Sequence, residues 1–578
     1  MATTYDKASL VMIPSGVKES KLYSIKPTSG DGDFTFSRGT DTATRVNSSG
    51  LIEKERGNLT TWSNDLDNWT KVSASVTSGQ TGYDGSNDAW RIDSTAGFVR
   101  RDVSYSGVNT FSIYAKAGTA VGIRIRLDAA SDKNAYFNLS TGAEISHTGI
   151  SLTATDLGSG WYRIAFAADI STGINYRIYA VDASGTSTTG SIYVQDAQLE
   201  QGLVATDYIE TTTAAVYEGI TDNLPRLDYS GGASCPSLLL EPSRTNQITN
   251  SEYFNGADWI NVDVTATENA AISPEGVQNA SQLDFTGTTY KRFEQNTSNA
   301  ATACTASIFM KYIDHAIVMA RMDSTTGASY AWFDIRTGEV LKVDGATGSV
   351  PDPIASVDDY GDGWYRLNTT QTAMAATQEI FWYFVPDINT STGGWTGSGS
   401  AYAYGAQFEE GSYATSYIPT YGTSASRAAD EADCSDTGIT SNVGTWYIEF
   451  GELNSGSFGS SLYSILINPS SGSEYISFLS NQTQNTLRVR VNDGTTTQYV
   501  GGSFSIEAVN KYLIKWDGTN LTFFRNGSQY ASVLFNTSKA FSVMNLPNPA
   551  RAALYPTKQI LCFPTALTDA EAIALTTI

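Results

Sequence analysis

A nucleophilic triad or a histidine-based metal site would need one of two histidines, His147 or His315, in this sequence of 578 residues. His147 lies in EISHTG beside a turn and His315 in KYIDHA between apolar runs. Neither has a partner motif, so both read as structural. The four cysteines, Cys235, Cys304, Cys434 and Cys562, show no C-x-x-C spacing and read as free thiols rather than a zinc site or a disulfide framework. Two carboxylates can hydrolyse a glycosidic bond, and Glu409-Glu410 is the adjacent pair on offer. Neighbouring residues of a strand point to opposite faces, which takes that pair apart. No G-x-G-x-x-G or phosphate-binding loop occurs. The sequence predicts no catalytic residue.

Aromatic side chains are the other chemistry available, because sugar rings stack on them. In QEIFWYFV (378–385), Ile380, Trp382 and Phe384 fall on one strand face and Phe381, Tyr383 and Val385 on the other. Both faces are apolar, so the outer one either packs against a neighbour or lines a sugar groove. Trp332, Phe381 and Tyr383 form the candidate glycan platform. A second candidate lies in the polar, glycine-rich stretches NSGSFGSS (454–461) and NDGTTTQYVGG (492–502), which read as exposed loops. There Tyr499 would stack on a sugar and Asn492 and Asp493 would bond its hydroxyls; plain hairpin turns are the alternative. Trp161-Tyr162-Arg163 and Trp364-Tyr365-Arg366 each follow a glycine turn. They read either as a sugar platform or as a Trp closing one end of a sandwich with an Arg paired to an acid.

The elements that must position these residues come from an internal repeat. Glu53, Arg56 and Asn58 return as Glu241, Arg244 and Asn246. FSIYAK (111–116) returns as ASIFMK (306–311), GSGWYRIA (158–165) as GDGWYRLN (361–368), and DAQLEQGLVATDYI (196–209) as GAQFEEGSYATSYI (405–418). Glu409 therefore matches Glu200 while Glu410 matches Gln201, so a chemistry needing both acids is missing from the first copy. VGIRIRLD (121–128) alternates Ile123, Ile125 and Leu127 with Arg124, Arg126 and Asp128, the period of a half-buried strand. The fold class expected is all-β: two tandem antiparallel jelly-roll sandwiches, residues 58–214 and 247–422, joined by a linker, 215–246. Residues 423–578 read as a third sandwich closed by a short helix, since Thr568 and Glu571 form a capping-box pattern. Residues 1–57 are too short for a core of their own; their strand-like pieces would pair with another chain or with the first repeat.

Composition narrows the function. Lys+Arg 36 against Asp+Glu 59 gives a net charge of −23, which opposes binding to nucleic acid or to anionic lipid. Hydrophobic content of 41% and aromatic content of 11% argue for folded domains. The opening residues lack a signal-peptide pattern, and no apolar run is long enough for a membrane helix. A chain made in the cytoplasm is expected.

SLVMIPSGVKESKLYSIKP, DFTFSRGTDTATRVNSSGLIE, NLPRLDYSGGASCPSLLLEPSRTN, AQFEEGSYATSYIPT and PTALTDAEAIALTTI resemble modular virion proteins of tailed bacteriophages, of the tail-fibre, head-fibre or appendage type. The repeats are similar to carbohydrate-binding modules, and the last domain to concanavalin A-like or laminin G-like sandwiches. The resemblance implies a non-enzymatic structural protein of the virion that binds host-surface polysaccharide. It further implies a homo-oligomer, most often a trimer, that meets other virion proteins through residues 1–57 and points 423–578 away from the particle. Glu200 and Glu409, in AQLE and AQFE, are the acids such modules would lend to a structural calcium ion, with further oxygen ligands from loops; no other cofactor is implied. A virion-borne polysaccharide depolymerase and a ligand-free scaffold remain the other readings.

Overall fold

The computed structural model describes residues 2–127, 132–297, 303–324, 327–345, 350–372, 378–390, 394–450, 464–481, 486–505, 510–546 and 556–578. The chain is all-β, built from antiparallel sandwiches. No helix among the described residues is long and apolar enough to cross a membrane.

The two repeats share one pairing scheme. In the first, Ala89–Ala117 and Trp161–Val181 are long strands that serve both layers of the sandwich. In the second, the same path is broken into Ala280–Gly287, Arg292–Thr297 and Cys304–Tyr312, and into Trp364–Gln371 and Gln378–Phe384. Trp161 faces Lys116 across the ladder as Trp364 faces Lys311. Gln198 faces Ser112 as Gln407 faces Ser307. Alternation decides what goes inside: Ile123, Ile125 and Leu127 are buried in the first core, while Arg124 and Arg126 face out.

The third sandwich draws on three separated pieces of chain. Leu10–Met12 pairs with Thr557–Phe563, placing Leu10 opposite Cys562. Phe34–Ser37 pairs with Glu431–Cys434. Arg226–Asp228 and Ser237–Leu239, from the stretch expected to be a linker, extend the first of its sheets. Leu10, Met12, Leu22, Phe34 and Phe36 lie in the same core as Trp446, Tyr512 and Trp516. This corrects the expectation that the strands of 1–57 pair with the first repeat; the alternative, pairing with another chain, stays an expectation. The apolar strands of 1–57 find their partner at the far end of the same chain, where two sheets each have room for an edge. The helix Asp569–Thr576 closes the domain, and Thr568 and Glu571 make the reciprocal capping bonds.

Two buried ionic networks tie the sandwiches together. Arg226 Nη1 donates to Glu241 Oε2 at 2.7 Å and to the Thr44 carbonyl at 2.9 Å, and Arg226 also pairs with Asp430. Arg427 lies 3.1 Å from Glu241 and Arg38 3.3 Å from Asp430. At the second network, Lys54 reaches Glu252 and Glu275, each at 3.0 Å. The repeats also touch through Gly107, whose positive φ of 75° lets Val108 N donate to the Tyr421 carbonyl. A Cβ there would lie 1.5 Å from that oxygen, so only glycine permits the contact.

Candidate functional site

The residues repeated in both copies are used by the fold. Glu200 Oε1 accepts from Thr206 N at 2.9 Å and Gln198 Nε2 at 2.8 Å, and its Oε2 accepts from Thr206 Oγ1 at 2.6 Å. Glu409 makes the same three bonds with Thr415 and Gln407, at 2.8, 2.8 and 2.6 Å. Burial pushes the Glu200 carboxyl above its ordinary range. These acids tether the loop after their strand, a use that accounts for their repetition without the calcium ion expected at Glu200 and Glu409. No cluster of three or more His, Cys, Asp or Glu among the described residues is placed to hold a metal ion.

Trp161 and Trp364 are buried at 3% and 2% exposure, unavailable for stacking. Among the described residues no ion pair joins Arg163 or Arg366 to an acid. Arg163 donates to the Thr206 carbonyl and Arg366 to the Thr415 carbonyl, fixing the same loop from its other side. His315 is held between the Ile317 and Val385 carbonyls, and burial lowers its pKa. His147 bonds Glu144 at a turn. Glu409 is buried and Glu410 exposed, on opposite faces of their strand.

The proposed platform of the second repeat is one cluster, as alternation required: Trp332, Phe381 and Tyr383 lie with Met319, Tyr330 and Val385 outside the main core. The rings are covered, however, with exposures of 1%, 6% and 3%. Arg292 and Arg321 lie over Phe381 at 5.4 and 5.2 Å, and Lys342 over Trp332 at 4.6 Å. Trp332 Nε1 also donates to the Thr390 carbonyl at 3.1 Å. Cation–π cover and a loop close this face; the three rings are not an open sugar shelf as they stand.

In the third sandwich Asn492 Oδ1 accepts from Gly494 N, and Asp493 Oδ1 from Thr495 N and Thr496 N, closing the hairpin turn. Those bonds hold the Asp493 carboxyl below its ordinary range. These oxygens serve the hairpin turn, the alternative reading of this stretch; the Asn492 amide nitrogen and the second Asp493 oxygen take no part in those bonds. Tyr499 is 47% exposed, with Arg488 5.6 Å from its ring centre. The NSGSFGSS stretch lies outside the described residues.

The same sheet face in the first repeat is more polar: Tyr179 is buried at 7% exposure, and Arg124 and Tyr136 are half-buried. Arg100, Arg177 and Arg126 stand opposite one another on three adjacent strands. One step along, Tyr179, Arg124 and Tyr136 form a parallel row. Arg124 lies 4.7 Å from the Tyr179 ring centre and 5.4 Å from that of Tyr136. Its Nε and Nη2 donate to Asn134 Oδ1 at 3.0 and 2.8 Å. Sequence reading had Arg124 and Arg126 on an outer face but missed Arg100, because only the register shows which residue of RRD faces Arg177. A cleft of about 450 Å³ between the repeats, walled by Asp41, Glu55, Asp169 and Asp258 among others, was equally hidden. Burial, with Asp41 and Asp222 nearby, pushes Glu55 up to about 8.

No family model and no curated protein matches the chain. Solved structures similar to parts of it include the sialidase CBM40 of Ruminococcus gnavus (15% identity, 24% of this chain and 83% of that one, TM-score 0.19). The tandem CBM22 domains of Paenibacillus barcinonensis Xyn10C match at 8% identity over 61% of this chain and 96% of that one, TM-score 0.20. Mouse laminin α1 LG4-5 matches at 9% identity over 49% and 90%, TM-score 0.17. Likenesses this distant carry no weight on ligand or role.

Proposed function

We propose that the chain is a non-enzymatic structural protein of a tailed-phage particle, a fibre or appendage, that holds host-surface glycan on an outer sandwich face. The phage assignment rests on the sequence resemblance. The observation that supports glycan binding is the Tyr179–Arg124–Tyr136 row, with Arg124 and Tyr136 half-buried rather than covered, which sits where the second repeat has Tyr383, Met319 and Trp332. Tyrosines flanking a guanidinium present ring faces and fixed donors together, the mixture that binds a pyranose. Single sites of this kind are weak, and a trimer would multiply them. Contacts of 1–57 with other virion proteins would then be made by the surface of a folded sandwich rather than by a free arm. Both ends of the chain share that sandwich, so attachment and receptor binding need not lie at opposite ends of the molecule.

The test is deletion of residues 58–214 from the phage-borne protein. Particles that assemble but adsorb poorly to host cells support the reading; unchanged adsorption favours the ligand-free scaffold.

A further inference from the structure

The outer face of the first repeat carries four arginines in two adjacent rows. Arg100, Arg177 and Arg126 are direct cross-strand neighbours, and Arg124 lies in the adjacent row. Like charges placed directly opposite on neighbouring strands destabilise a sheet. The shared fold does not require them: at the positions of Arg100, Arg177 and Arg124 the second repeat has Glu294, Phe381 and Met319. Of these four positions it keeps Arg321, the counterpart of Arg126, and its cations Arg292 and Lys342 stand elsewhere on that face. The row is thus a feature of the first copy alone, on a chain whose net charge is −23.

Two arginines of the row carry an acid among the described residues. Asp102 pairs with Arg100 at 3.0 Å, Asp132 with Arg126 at 3.2 Å, and Asn175 accepts from Arg177 at 3.1 Å. Arg124 has neutral partners: the Asn134 amide oxygen and two tyrosine rings. With strands about 4.8 Å apart, the row spans about 10 Å, the length of two sugar residues. A guanidinium presents a planar fork that matches an oxyanion, and the half-buried Tyr136 flanks it.

We propose that this face binds an acidic saccharide, its anionic group on Arg124 and the arginine row and its ring against Tyr136. The proposal rests on the glycan-binding reading above and adds the charge of the ligand.

The test uses the full chain in biolayer interferometry against immobilised polygalacturonate, dextran sulfate and neutral dextran. Binding to an acidic polymer, weakened by salt, is expected. Arg124→Gln/Arg177→Gln should lose about tenfold in affinity per guanidinium removed. Lys18→Gln/Arg336→Gln, which removes two charges elsewhere, should lose less than about twofold. Which acidic polymer binds tells carboxylate from sulfate. Should the double variant fail to fold, Arg124→Lys, which retains charge and stem but not the fork, replaces it, with a loss still expected. Equal binding to dextran, or equal losses in both double variants, overturns the acidic ligand and leaves the glycan reading standing. Binding to none of the three overturns both.

Discussion

Lys54 Nζ lies 3.0 Å from Glu252 Oε1, joining the segment before the first repeat to the start of the second. Glu275 shares the ammonium at 3.0 Å, and Tyr404 Oη donates to Glu275 at the same distance. Burial works to lower the Lys54 pKa, but the two carboxylates outweigh it and hold the pKa well above its ordinary value. The lysine is charged because two acids are buried with it.

Removing that cation strands the acids. Lys54→Met should cost about 3–5 kcal/mol, the usual penalty for breaking a buried pair from one side. Adding Glu252→Gln should recover part of the loss. Thermal unfolding followed by circular dichroism measures both; a change of less than about 1 kcal/mol for Lys54→Met would contradict the network's role.

The Arg226–Glu241–Arg427 network gives a pH signature. Burial pushes Glu241 up, but Arg427 and Arg226 outweigh it and bring its pKa down to about 2, from 4.5. A carboxyl depressed by folding contributes stability above its unfolded pKa, and loses it as pH falls through its folded one. Stability of about 3 kcal/mol should be present above pH 4.5 and vanish toward pH 2. Glu241→Gln should start less stable and show a flatter fall in that window; an unchanged slope would reject the assignment.

The loop tethers predict indifference to calcium. Glu409→Gln removes the charge from an oxygen set that binds Thr415 N, Thr415 Oγ1 and Gln407 Nε2, and should cost about 2 kcal/mol. Chelator or added calcium should leave the melting temperature of the parent chain within about 1 °C. A larger shift on chelation would reinstate a calcium site.

Cysteine accessibility offers a simple check of burial. Cys235 is exposed, while Cys304, Cys434 and Cys562 are buried. Burial also raises the Cys434 thiol to about 12, which suppresses the reactive thiolate. One thiol should react with a disulfide reagent in the native chain and four after unfolding. Three or more fast-reacting thiols in the native state would place these residues wrongly.

What the sequence made legible was whatever depends on local period or on the repeat. Alternation placed Ile123 and Ile125 inside and Arg124 and Arg126 outside, and it put Phe381 and Tyr383 on a face with Trp332. Nothing in the local pattern of SLVMIP tells that Leu10 pairs with Cys562, because that partner is specified by packing across the whole chain. Alternation likewise cannot show what covers an outer face; the cover on Phe381 comes from Arg292 and Arg321 on the two neighbouring strands. The loop tether was readable in hindsight: Glu200 precedes Thr206 by six residues, as Glu409 precedes Thr415.

The most direct test of the account is binding of the labelled full chain to susceptible cells before and after mild periodate oxidation, which opens vicinal diols of surface polysaccharide. Saturable binding that is lost on oxidation, and reduced at least about tenfold by Arg124→Gln/Arg177→Gln, is the predicted result. Binding that survives oxidation, or that the variant leaves unchanged, would contradict a glycan held on the outer face of the first repeat.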